Sequence, residues 1–138
     1  MMESWRTCWR EALAPQMPTA GLEALRDALE RDDPTLLQGE TINPPPFRCV
    51  HTWPVRGACV ISYCGWRGLA LETVGEVEEF FARTCFNADR TLGQAAAIHW
   101  FINWADDTPR AEMRRQLLPE VERILALRSV GLEPTETW

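Results

Sequence analysis

The stretch VRGACVISYCGW, residues 55–66, decides the fold class, because it can be read either as a buried helix or as a strand. As a helix it begins with Pro54 in the first turn, where a missing backbone N–H costs nothing, and it stops near Gly65. Its apolar residues then surround the axis completely, as in a helix packed on every side. As a strand, CVISY (59–63) would pair with RCVHTW (48–53) in a hairpin across Pro54–Gly57. The β-branched Val60 and Ile61 favour the strand, whereas the lack of any other strand partner favours the helix. The helix is adopted. It makes the chain all-α, an irregular or orthogonal bundle of about five to six helices with room for one small β-hairpin near 48–63.

The flanking segments are helical in pattern. Upstream, Trp5, Cys8, Trp9, Ala12 and Leu13 make an amphipathic helix of 2–14 that Pro15 stops, and Pro15 and Pro18 bracket a linker. Leu22–Arg31 follows, with Leu22, Leu25, Ala28 and Leu29 on one face and an Asp27–Arg31 pair on the other. Residues 39–54 are irregular, and Pro44-Pro45-Pro46 within them is extended. Downstream, Thr73-Val-Gly-Glu76 matches a capping box, after which Val74, Val77, Phe81, Cys85, Ala88 and Leu92 form a stripe that Gly93 closes. Gln94–Asp106 is apolar over well over half its circumference and is read as the central helix. Thr108 as N-cap and Pro109 at the first position start a last helix. Its stripe (Met113, Leu117, Leu118, Val121, Ile124, Leu125) runs to Arg128, with Pro119 kinking it from the polar face. Residues 129–138 read as a loose tail. Nothing divides the chain, so 1–138 is one helical domain.

Composition narrows the functional classes. The 138 residues carry 20 acidic and 14 basic side chains, net −6. That balance argues against sequence-independent nucleic-acid or anionic-membrane binding, both of which need cationic surface. Every basic residue is Arg; with no lysine, Schiff-base chemistry and a lysine general base are impossible. Seven Trp supply much area to a small core. The five Cys are an odd number at irregular spacing, and the charged N-terminal stretch has no apolar run for a secretory signal or membrane span. Reduced thiols and a cytoplasmic location follow as expectations.

Three constellations could carry chemistry. His99, Asn103 and Asp106 fall at i, i+4 and i+7 on one helix face, a spacing that general acid–base work could use. Acidic residues just before Thr108 equally favour the positive end of the next helix. Cys49, His51, Cys59 and Cys64 supply a zinc-type ligand set, but C-x-H-x₇-C-x₄-C is no standard zinc spacing. A helix over 55–66 also sets Cys59 and Cys64 about 140° apart, so the helix and the metal site exclude each other. No metal and no cofactor are expected. Cys64 with His99 or His51 and Asp106 could form a cysteine nucleophile set. Glu78 and Asp89, at the edge of the 74–92 stripe, are expected to pair with Arg110 and Arg128 of the last helix.

Phosphate-loop and dinucleotide fingerprints are absent. Phe86 lies about 120° from the centre of its stripe and, with Trp138, is a candidate contact for a protein partner. The expectation is therefore a small acidic cytoplasmic interaction or regulatory module: an adaptor, an immunity-type inhibitor or an accessory domain of an assembly. Its alternative is a thiol- or metal-dependent enzyme using His99, Asp106 and a cysteine. The sequence leaves the oligomeric state open.

Overall fold

The computed structural model describes residues 2–43 and 51–131. Pro44–Pro46, Cys49, the first half of RCVHTW, residues 132–138 and Trp138 with them lie outside those described. The described residues form an all-α bundle of six helices with one small two-stranded antiparallel sheet. The helices are α1 (Ser4–Cys8), α2 (Thr19–Arg31), α3 (Val60–Gly68), α4 (Val74–Leu92), α5 (His99–Asp107) and α6 (Arg110–Ser129); the strands are β1 (Ile42–Asn43) and β2 (Gly57–Ala58).

The pivotal stretch is divided. Gly57–Ala58 pairs antiparallel with Ile42–Asn43, and from Val60 the chain is helical. Val60–Tyr63 of CVISY therefore belongs to α3 and is helix, not the strand that a hairpin with RCVHTW would need. The β-branched pair Val60–Ile61 sits in its first turn, where burial on every side outweighs weak intrinsic preference. Pro54 is outside the helix, in an isolated bridge to Thr73, and Cys59 is the N-cap.

Glycines bring α3 into the middle of the bundle. A Cβ built on Gly21 of α2 would lie 2.3 Å from the Cys64 carbonyl oxygen, and one on Gly68 would lie 2.6 Å from the Gly21 nitrogen. On the side facing α4, a Cβ on Gly65 would lie 2.4 Å from the Phe80 ring. Val60, Ile61, Ser62, Tyr63, Cys64 and Gly65 are all buried. The central helix is α3.

Gln94–Asp106 is corrected accordingly. Gln94–Ile98 is a turn, α5 starts at His99, and the helix lies at the edge. Its aromatic arc packs mainly on α1 and the π-helical segment that continues it: Trp104 stacks on Trp5 with centroids 3.6 Å apart and planes 5° apart, and Phe101 lies 5.6 Å from Trp9. Trp100 is left 37% exposed. A wide apolar arc built from Trp is satisfied along the ring faces, without protein on every side.

The N-terminal helix is not one regular α-helix to residue 14. It widens to π geometry over Trp9–Leu13 and tightens to a 3₁₀ turn at Ala14–Gln16, so Pro15 lies inside the turn it was expected to stop. The Gln16 amide donates to the Ala12 carbonyl at 2.7 Å, and the Arg128 guanidinium donates to the carbonyls of Met17 and Ala14.

α2 starts earlier than Leu22, at Thr19. Arg31 donates to the Asp27 carbonyl and pairs with the Asp33 carboxylate, in place of the expected Asp27 carboxylate. α6 has Pro109 as its N-cap, one residue later than expected, and runs through Pro119 to Ser129.

Candidate functional site

The candidate catalytic residues are spread between surface and core. His99 and Asn103 are exposed on α5. Asp106 anchors a loop, its Oδ1 accepting from Gly39 N at 3.0 Å, while Gln38 of the same loop donates to the carbonyls of Ala105 and Thr108. Cys64 is 0% exposed in the α2–α3 crossing, so no substrate reaches its sulfur. Burial pushes its thiol far above the ordinary value, leaving it protonated at neutral pH.

Cys59 and Asp106 do come together, lining a cavity of about 60 Å³ with Phe81, Phe101 and Ile102; His99 does not line it. The Cys59 sulfur contacts Ser62 Oγ at 3.6 Å, and burial raises its pKa despite the helix N-terminus it caps. Burial likewise pushes the Cys8 thiol up to about 11 and that of Cys85 to about 12. All four described cysteines are free thiols held protonated. Of the candidate metal ligands, His51 is exposed and pairs through Nδ1 with Glu78 Oε1 at 3.3 Å. Among the described residues no three His, Cys, Asp or Glu side chains gather as a metal group.

The inter-helix ion pairs also differ from expectation. Glu78 faces His51, and Asp89 accepts from Ala96 N and Ile98 N at 3.2 and 2.8 Å, closing the α4–α5 turn. Arg110 pairs with Asp32 and donates to the carbonyls of Leu36 and Asp33, which holds the turn after α2. A buried carboxylate that bridges helices went unnoticed in the sequence. Glu120 of α6 is 6% exposed and accepts from Arg10 at 2.7 and 2.8 Å, with Arg6 Nε 3.1 Å away. Burial alone would raise its carboxyl, but the Arg10 hydrogen bonds and the charges of Arg10, Arg6 and Arg123 hold it below the ordinary value. The signal was its spacing: Glu120 follows Leu117 by three and precedes Ile124 by four, which puts it on the buried stripe.

One continuous functional-group strip remains, on the outer side of α4. The capping box forms as read, with Glu76 N donating to Thr73 Oγ1 and the Glu76 carboxylate accepting from Thr73 N; Gly93 ends the helix at φ +66°. Buried Val74, Val77, Phe80, Thr84 and Ala88 define the inner face. Phe80 and Thr84 replace Phe81 and Cys85 on the fully buried line, because α3 presents Gly65 as a socket for the Phe80 ring.

Opposite them lie Glu76, Glu79, Arg83, Phe86 and Arg90, all exposed. Phe86 is 62% exposed with the Arg90 guanidinium 5.8 Å from its ring centroid, and Arg83 pairs with Glu79 at 3.3 Å. Beside Arg90 an open groove of about 390 Å³ is lined by Gln16, Asn87 and Thr91. An exposed aromatic ring with a guanidinium over its face is equipped for contact with another protein surface.

No described helix is long and apolar enough to cross a membrane. Comparison with protein-family models, curated proteins and solved structures finds no match to this chain.

Proposed function

We propose that the protein is a small cytoplasmic interaction or regulatory module, and that the outer face of α4 around Phe86 seats a protein partner. The observation that carries this reading is Phe86 itself, 62% exposed and overlaid by Arg90 on a face the core does not use. Arg and aromatic side chains dominate interface energetics when a partner excludes water from them. The net charge of −6 disfavours nucleic acid as the partner, and four free thiols fit a reducing compartment.

Phe86→Ser tests the reading. It should change unfolding free energy by no more than about 0.5 kcal/mol, as surface substitutions do, while a partner retained from lysate of the source cells by the wild-type chain is lost. A stability loss of several kcal/mol, or an unchanged set of retained proteins, would show that Phe86 is no contact residue.

A further inference from the structure

The exposed strip of α4 pairs within itself, Arg83 with Glu79 and Arg90 over Phe86, and its order also suits pairing with a second helix. Glu79, Arg83, Phe86 and Arg90 follow one another at spacings of four, three and four residues. That alternation lines side chains along the seam between two paired helices. When such helices pair antiparallel, the two kinds of seam position face each other across the axis. Arg83 then meets Phe86 of the other helix, and Glu79 meets Arg90. Both contacts occur twice, and both are favourable: a guanidinium on an aromatic face and an opposite-charge pair. Parallel pairing in the same register would instead oppose Glu79 to Glu79 and Arg83 to Arg83.

We propose that the occupant of this face is a second copy of this chain, with the two α4 helices antiparallel about a twofold axis at the level between Thr84 and Cys85. The proposal rests on reading this face as the interaction surface, and it names the partner. An isologous contact of this kind needs a surface complementary to itself, and the strip meets that requirement with Glu79 at its N-terminal end opposite Arg90 at its C-terminal end, and Arg83 opposite Phe86 between them.

The side chains are accessible to solvent, and pairing between copies exchanges their intrahelical partners for groups of the same strip on the other helix. Those of Glu79 and Arg83 are 77% and 57% exposed, and the groove beside Arg90 leaves its guanidinium reachable. From residue 79 to residue 90 the seam spans only about 16 Å at a helix's rise per residue, shorter than a standard interface of roughly 1,200 Å² requires. The pairing is therefore weak, reversible and sensitive to salt, because its Glu79–Arg90 contacts are solvent-facing.

Sedimentation equilibrium of the full chain, at about 20 mM and about 500 mM salt, tests this. A monomer–dimer equilibrium that weakens at the higher salt is expected. Glu79→Arg and Arg90→Glu should each weaken it roughly tenfold by opposing like charges. An equimolar mixture of the two single variants should recover association as a heterodimer, and the double variant should recover its own dimer. Circular dichroism checks that each variant keeps its helix content, and Phe86→Ser gives an uncharged control that should also weaken pairing. A chain that stays monomeric, or a dimer indifferent to both charge reversals, overturns the proposal. If the monomeric chain still holds another protein through Phe86, the interaction face survives and only self-pairing is wrong; if that retention fails too, both readings fall.

Discussion

Gly21 shows how much one side chain can decide here. Its missing Cβ leaves room for the Cys64 carbonyl, which a methyl group would approach to 2.3 Å, and backbone cannot step aside as a side-chain tip can. Gly21→Ala should therefore cost about 2–3 kcal/mol in chemical denaturation, even though Ala gains roughly 0.5–1 kcal/mol over Gly in a helix. A neutral result would mean that α2 and α3 do not cross this closely. The reverse exchange should help at Ala96, which holds φ +61° in the α4–α5 turn, a left-handed conformation that burdens any Cβ. Ala96→Gly is expected to raise stability by about 0.5–1 kcal/mol; a loss would contradict the left-handed geometry. His99 offers a quieter test. It is exposed, so His99→Gln should change stability by no more than about 0.5 kcal/mol.

Single helices are governed by their ends and by their one misfit residue. The Glu76 carboxylate of α4 accepts from the backbone N–H groups of Glu72 and Thr73, which hold its pKa below the ordinary value. Thr73→Ala removes the reciprocal acceptor for Glu76 N and should lower the unfolding free energy by about 1 kcal/mol. In α6, Pro119 supplies no N–H to the carbonyl four residues earlier, but it is exposed, so water can reach the deprived Arg115 carbonyl. Pro119→Ala should then raise the melting temperature, by the equivalent of about 1–3 kcal/mol. If the melting temperature falls instead, the proline ring is making contacts that the helix needs.

At the scale of the whole molecule, Glu120 ties the N-terminal segment to α6. Its folded carboxyl lies below the ordinary value of 4.5, so its stabilisation is complete above that value and fades as pH falls through the lower folded one. Near neutral pH, Glu120→Gln should cost about 2–3 kcal/mol, less than a fully buried pair because Arg10 stays 30% exposed. The gap between wild type and variant should close on acidification below about pH 4, when the wild-type carboxylate also becomes neutral. Denaturation curves from pH 7 to 3 measure this, and fluorescence of the stacked Trp5–Trp104 pair reports whether α1 separates from α5 at the same time. A gap that stays constant with pH would show that Glu120 acts through packing and not through charge.

The helical fold class, the beginning and end of α4 and the place of Phe86 off its apolar stripe were determined by sequence alone. Each depends on neighbours within one or two turns: the Thr73–Glu76 cap, Gly93 at the end, and an apolar stripe that leaves position 86 outside it. Tertiary structure alone decided what depends on distant partners. β2 found Ile42–Asn43 as its partner, Asp89 closed its own turn, Arg110 and Arg128 were drawn to backbone carbonyls, and Glu120 paired with arginines 110 and more residues away. The central helix was decided in the same way. α3 and α5 both read as apolar nearly all round, and no periodicity separates them. Gly21, Gly65 and Gly68 let backbone and ring approach α3 from two sides, whereas the α5 aromatics are satisfied by stacking against α1. Close approach is a property of two surfaces together, and one stretch of sequence specifies only one of them.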